Sequence, residues 1–149
     1  MFREQRTVIV DRPVHEVFEY MSDFSNDQHW RGELIEIVPV DGESERVGAS
    51  YRQRVQWEGR ELETDFRLTT FEPDRCIAFE GEAPGVRARA SYRFEPVGAT
   101  TRLHVTAEFE TLGPMKVVEP FVWGLLRRQG ESDLHALKKV LEEHLVHTA

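Results

Sequence analysis

Residues 50–72 read SYRQRVQWEGRELETDFRLTTFE. From Ser50 onward apolar and polar side chains alternate, which is the pattern of a strand with one buried face. The segment Trp57-Glu58-Gly59-Arg60 fits a two-residue hairpin loop, with Gly59 free to take positive φ. That loop sets Arg52 opposite Asp65 and Arg54 opposite Glu63 on one face. On the other face it sets Tyr51 opposite Phe66, Val55 opposite Leu62 and Gln53 opposite Thr64. Opposite charges meet opposite charges and apolar groups meet apolar groups, as cross-strand energetics favours.

The same test extends down the chain. A type I turn at Glu72-Pro73-Asp74-Arg75 predicts Leu68 against Phe79 and Thr70 against Ile77. A loop at Glu82 to Gly85 predicts Glu80 against Arg87 and Phe79 against Ala88. A loop at Gly98-Ala99 predicts Phe94 against Leu103, Tyr92 against Val105, Glu95 against Arg102, Arg89 against Glu108 and Arg87 against Glu110. Every turn keeps the apolar residues on one side, and a one-residue slip would undo that. The prediction is a five-strand antiparallel meander with a salt-bridged outer surface.

Upstream, REQRTVIV predicts a first strand, and DRPVHEVFEYMSD a helix opened by Pro13, with Val14, Val17, Phe18 and Met21 at helical spacing. FSNDQHW predicts a second short helical turn, with Asp23 and Asp27 as capping residues. ELIEIVPVDG reads as a strand ending at Asp41-Gly42. Downstream of Gly113-Pro114, Leu134, Leu137, Leu141 and Leu145 form the stripe of a long amphipathic helix. Pro120, Gly124 and Gly130 predict a bend in its first half. One long helix laid across one apolar sheet face is an α+β architecture, and residues 1–149 are expected to form a single domain.

Composition narrows the function classes. The 149 residues carry a net charge of -8, which argues against nucleic acid and anionic membrane surfaces as partners. No run approaches membrane-span length, and the charged start MFREQRTVIV lacks a signal peptide's apolar core, so a cytoplasmic protein is expected. The single Cys76 excludes an internal disulfide. It is expected to point outward beside a turn without a histidine partner, so it reads as a small surface or edge residue. No Gly-rich phosphate loop is present. His144 and His147 with Glu143 are spaced like ligands but stand on a chain end that scaffolds them poorly. No metal or cofactor is expected.

The expected inner face is only partly apolar. It carries Gln53, Thr64, Thr70, Tyr92 and Thr101 among Phe66, Phe79 and Val105, with small residues at Gly81, Ala88, Ala90 and Ala107. Unpartnered buried polar groups cost about 1–3 kcal/mol each, and small residues leave volume. Two readings stand: a ligand cavity with a few polar anchors, or a closed interior in which Gln53 and Thr64 bond each other.

VIVDRPVHEVFEYMSDFSNDQHW, the turns FEPDR and FEPVGATTRL, and the terminal ALKKVLEEHL together resemble the START-like (SRPBCC) ligand-binding superfamily, in its polyketide cyclase/dehydrase-like branch. The resemblance runs from about Thr7 to Leu145. It implies a helix-grip fold, a curved sheet wrapped around the C-terminal helix, which birch-pollen-allergen-like members share. It also implies binding of an apolar or aromatic small molecule, lipid- or polyketide-like. Trp30 is then expected at the rim of the sheet. Candidate ligand-lining residues are Gln53, Thr64, Phe66, Phe79, Ala90, Tyr92, Val105 and Phe121. A cofactor-independent cyclase or aromatase is the alternative, with His29 and Tyr92 handling protons. A protein-interaction module with a vestigial pocket is a third reading. The oligomeric state is open, and a helix start bearing Trp123 suits either a pocket or a partner chain.

Overall fold

The computed structural model describes residues 2–40, 46–57, 59–83 and 85–144. Strand β1 (Phe2–Val10) leads into helix α1 (Val14–Ser22), a 3-10 segment (Phe24–His29) and β2 (Leu34–Pro39). Strands β3 (Ser50–Trp57), β4 (Arg60–Glu72), β5 (Cys76–Ala83), β6 (Val86–Val97) and β7 (Thr100–Thr111) follow. A second 3-10 segment (Gly113–Val118) then leads into α2 (Glu119–His144). The seven strands form one antiparallel sheet in the order β1-β7-β6-β5-β4-β3-β2. The expected meander of β3 to β7 is therefore extended at both ends. β2 returns beside β3, and β1 pairs with β7 from Phe2↔Phe109 to Val10↔Thr101. No described helix is long and apolar enough to cross a membrane.

The β3–β4 register is the one expected, with Arg52↔Asp65, Gln53↔Thr64 and Tyr51↔Phe66, and Gly59 takes φ 75° in the turn. The β6–β7 pairs also match throughout. Two expected pairings are corrected. Between β5 and β6 the pairs are Glu80↔Arg89, Phe79↔Ala90 and Glu82↔Arg87, two residues from the expected ones. The pairing runs on to Ala83↔Val86. A shift of two keeps every side chain on its own face, so alternation could not expose it. Between β4 and β5 the pairing slips after Leu68↔Phe79, so that Phe71 and not Thr70 opposes Ile77. The bulge turns Phe71 inward, where its ring meets Phe18 at 5.4 Å. The turn expected at Asp41-Gly42 lies outside the described residues, as does His147.

Gly81 in β5 marks a close approach. A Cβ there would stand 2.4 Å from the Asp65 carbonyl oxygen and 3.0 Å from Phe66 Cβ, so only glycine lets β4 and β5 lie together at this point. The outer face is laced by ion pairs, including Arg52–Asp65 at 3.0 Å, Arg67–Glu80 at 2.6 Å and Arg102–Glu95 at 3.0 Å. Arg54 turns to Glu36 of β2 at 3.0 Å. Such exposed pairs contribute about 0–1 kcal/mol each. They favour the register more than they stabilise the fold.

The apolar core fills one end of the concave side. Val10, Leu68, Ile77, Phe94 and Leu103 from the sheet meet Val17, Phe18 and Met21 of α1, and Leu137 and Leu141 of α2. Trp30 is buried here. Helix α2 runs unbroken from Glu119 to His144. Pro120, Gly124 and Gly130, where a bend was expected, all lie inside this one helix, which follows directly on the 3-10 segment. Pro120 then sits in the first turn, where its missing N–H costs no hydrogen bond.

Candidate functional site

Asp23 starts the site. Its carboxylate accepts from the Ser25 amide at 3.1 Å and the Ser25 hydroxyl at 2.6 Å, a capping arrangement that opens the 3-10 segment. The short turn buries Phe24 and Asp27. Asp27 is thus no cap, contrary to expectation. Its side chain is 4% exposed and faces the Arg31 guanidinium at 3.6 Å, one turn later in sequence. Its carbonyl accepts the amides of Trp30 and Arg31 at 3.2 and 2.9 Å.

From Arg31 a polar chain crosses the inner face. Arg31 Nε donates to Glu33 Oε1 at 3.0 Å, and Nη1 donates to Gln53 Oε1 at 2.9 Å. Gln53 Nε2 donates to Thr64 Oγ1 at 3.0 Å, so the amide and hydroxyl that oppose each other in the register do bond. Helix α2 joins through Asp133, whose Oδ1 accepts from the Gly32 amide at 3.1 Å and from Gln129 Nε2 at 2.8 Å. The Asp133 carboxyl feels the charge of the Glu33 carboxyl, which raises its proton affinity.

Two carboxyl groups, Asp27 and Glu33, therefore flank the Arg31 guanidinium, and Asp133 feels the charge of Glu33. Burial pushes the Asp27 carboxyl up to about 7, with Arg31 and the Trp30 indole N–H acting in the opposite sense. Burial and then the charge of Glu33 push Asp133 up to about 7, against the Gly32 and Gln129 donors. Burial works against the Arg31 charge, but Glu33 and Asp27 outweigh it. The Tyr92 hydroxyl, in the field of the same groups, is raised by burial and stays protonated. The cluster can hold and release protons near neutral pH.

Beside the cluster stands an aromatic wall. The Phe24 ring meets Tyr51, Phe66 and Phe79 at 4.9, 5.5 and 6.1 Å, and Phe79 meets Tyr92 at 5.6 Å. Past it, towards the β1 start, the inner face is only half-buried. This half carries Val55, Leu62, Phe79, Gly81, Ala88, Ala90, Val105, Ala107 and Phe109. β1 adds a paired Glu4 and Arg6 on this face, opposite Ala107 and Val105. Arg6 also donates to the Arg127 carbonyl of α2 at 3.3 Å. Trp123 closes the far end, stacked on Phe2 at 5.1 Å with its indole N–H given to Glu119 at 2.9 Å. Two shallow depressions, of about 240 and 180 Å³, lie instead on the outer face, around Arg89 and Glu108. An Arg89–Glu108 contact of 3.5 Å spans them.

Of the expected lining residues, Gln53, Thr64, Phe66, Phe79, Ala90, Tyr92 and Val105 share the inner face. Phe121 does not join them: it is 67% exposed on the outside of α2. His29 is also exposed, and its neighbour Asp27 takes the inward position. Thr101 is buried with its hydroxyl on the Arg12 carbonyl at 2.8 Å, a satisfied core group. Burial raises the Cys76 thiol, which disfavours its reactive thiolate. Among the described residues, no three His, Cys, Asp or Glu side chains are placed to hold a metal ion.

Asp27, Arg31, Glu33, Gln129 and Asp133 were not among the expected site residues, and neither were Glu4 and Arg6. Two signals were present. Asp27 and Arg31 flank Trp30 at helical i, i+4 spacing. Asp133 stands four residues before Leu137, on the apolar stripe itself.

The family model for polyketide cyclase / dehydrase and lipid transport matches residues 1–142. The fold is similar to that of the Zhui aromatase/cyclase from Streptomyces sp. R1128, at 19% identity and a TM-score of 0.83, covering 97% of this chain and 95% of that one. It is similar to a START superfamily protein from Mycobacterium smegmatis at 20% identity and a TM-score of 0.78, covering 95% and 97%. It also matches the di-domain ARO/CYC BexL from the BE-7585A biosynthetic pathway at 19% identity and a TM-score of 0.77, covering all of this chain and 48% of that one. No curated protein sequence matches this chain.

Proposed function

The chain belongs to the polyketide cyclase / dehydrase and lipid transport family, and on that premise we propose that it binds an apolar or aromatic small molecule between the concave face of the sheet and the first half of α2. One observation carries this reading. The polar cluster around Arg31 adjoins an inner face of aromatic and small side chains that is half-buried instead of filled. An apolar wall with a few convergent polar groups is the usual make-up of a small-molecule site. Gln53, Thr64 and Tyr92 stand between the cluster and the wall, with Phe66, Phe79, Ala90 and Val105 as lining. A cytoplasmic place of action, supported by the net charge of -8, is part of the proposal. So is a single domain acting without nucleic acid.

The test is a neutral fluorescent probe, N-phenylnaphthylamine, titrated into the protein. Saturable fluorescence enhancement is expected, and Ala90→Trp, which fills the face, should abolish it while keeping a cooperative thermal melt. Absence of enhancement in the parent protein, or its survival in a folded Ala90→Trp variant, would refute the site.

A cyclase or dehydrase activity is a second reading. It is favoured by the pair of carboxyl groups raised to about 7, Asp27 and Asp133, near the protonated Tyr92. General acid–base groups work best with values near the operating pH and contribute about 10²–10⁴-fold. With a poly-ketone substrate, Asp27→Asn and Tyr92→Phe should each slow ring closure by about 10²-fold or more. Unchanged rates would remove them from the mechanism.

A further inference from the structure

On the binding reading above, we infer that the buried polar end of the ligand is uncharged or cationic and bears hydrogen-bond donors, and that molecules ending in a carboxylate or phosphate are excluded. The charges on the concave side carry this. Glu4, Asp27, Glu33 and Asp133 face Arg6 and Arg31 there, a surplus of acidic groups over basic ones.

Neither guanidinium is free for an anion. Arg31 spends Nε and Nη2 on Glu33, both at 3.0 Å, and Nη1 on Gln53 at 2.9 Å. A ligand carboxylate would have to displace Glu33, and the displaced charge would remain beside Asp27 and Asp133. Arg6 is paired with Glu4 and donates to the Arg127 carbonyl. Its buried Nε has no acceptor, but an anion reaching it would meet the Glu4 carboxylate beside it. Like charges brought together in a poorly solvated site repel strongly.

Beside Arg31 the carboxylates leave hydrogen-bond acceptors unused. A carboxylate offers about four lone-pair sites, and those of Asp27, Glu33 and Asp133 are only partly taken. Glu33 Oε2 in particular is buried and has no hydrogen-bond partner. A hydroxyl or ammonium group supplies the donor this oxygen lacks. The aromatic rings of Phe24, Phe79 and Tyr92 lie next to this end. The geometry therefore suits a phenol, an alcohol or an amine on an aromatic or apolar body, and not a free fatty acid.

The test uses three probes on one ring system: naphthol, naphthylmethylamine and naphthoate, substituted at the same position, measured by isothermal titration calorimetry at neutral pH. Naphthol and the amine are expected to bind at least about tenfold more tightly than naphthoate, a gap of about 1.4 kcal/mol. Glu33→Gln, which frees Arg31, should raise the naphthoate affinity and narrow that gap. Asp133→Asn should narrow it too, so that one poorly folding variant does not decide the matter. Naphthoate binding as tightly as naphthol would overturn the inference and leave the binding reading standing. A gap that neither folded variant changes would also overturn it, because the exclusion would then arise elsewhere. Failure of all three probes to bind would refute the binding reading, and this inference with it.

Discussion

The Asp133 carboxylate accepts the backbone N–H of Gly32 at 3.1 Å. One side chain thereby ties the middle of α2 to the loop between Trp30 and β2. Burial and the charge of Glu33 raise the proton affinity of the same carboxyl, so the tie is sensitive to protonation.

Protonation should make stability fall as the pH rises through neutrality. Asp27 and Asp133 both titrate near 7 when folded, against about 3.8 for a free aspartate. Below the unfolded value both states are protonated, and the stabilisation relative to high pH is fully present. Between the two values the folded state binds more protons, so stability declines with rising pH. For Asp27 the full loss is on the order of 4 kcal/mol. Urea unfolding between about pH 5.5 and 8 should show this decline, and the double variant Asp27→Asn, Asp133→Asn should flatten it. A parent protein equally stable across the window would contradict the assignment.

Removing Arg31 should be costly. Its guanidinium is the basic partner of both Asp27 and Glu33, and breaking a buried pair by deleting one member costs about 3–5 kcal/mol. Arg31→Met should lose stability of that order at pH 8 and recover part of it at acid pH, where Asp27 takes up its proton. Adding Glu33→Gln should rescue part of the loss at pH 8. Urea titrations of the single and double variants measure both effects.

Gly81→Ala should be destabilising although the residue is small and the site half-buried. The new methyl would meet the Asp65 carbonyl oxygen at 2.4 Å, and backbone shifts of this kind cost about 1–3 kcal/mol. At Gly124, where nothing lies within 4 Å, alanine should instead be neutral or stabilising, by up to about 1 kcal/mol from helix propensity. Thermal melts of the two variants should move in opposite directions or differ clearly in size.

Leu137 and Phe121 separate the gripping half of α2 from the exposed one. Leu137 has no exposed surface while Phe121 is 67% exposed. Leu137→Ala should cost about 2–5 kcal/mol. Phe121→Ala should stay within about 0.5 kcal/mol and leave N-phenylnaphthylamine binding unchanged. A large loss of probe binding on removing Phe121 would restore it to the site.

Strand alternation and turn chemistry, by themselves, determined the β3–β4 and β6–β7 registers, the inner position of Gln53, Thr64 and Tyr92, and the long helix laid over them. Those features are local: a two-residue turn pins the pairing, and a one-residue error would expose every apolar side chain. Tertiary structure decided the rest. The β5–β6 offset was invisible because a shift of two residues preserves each face, and the bulge after Leu68 has no strong local signature. β1 meets β7 across almost the whole chain, so the inward turn of Glu4 and Arg6 had no nearby partner to reveal it. The acidic cluster was hidden for the same reason. The segment of Asp27, Arg31 and Glu33, Gln53, and the pair Gln129 and Asp133 are far apart in sequence, and charged residues lie in solvent by default. Only packing of α2 against the loop after Trp30 brings them together. The burial that results, and not the residue types, is what moves their proton affinities to neutrality.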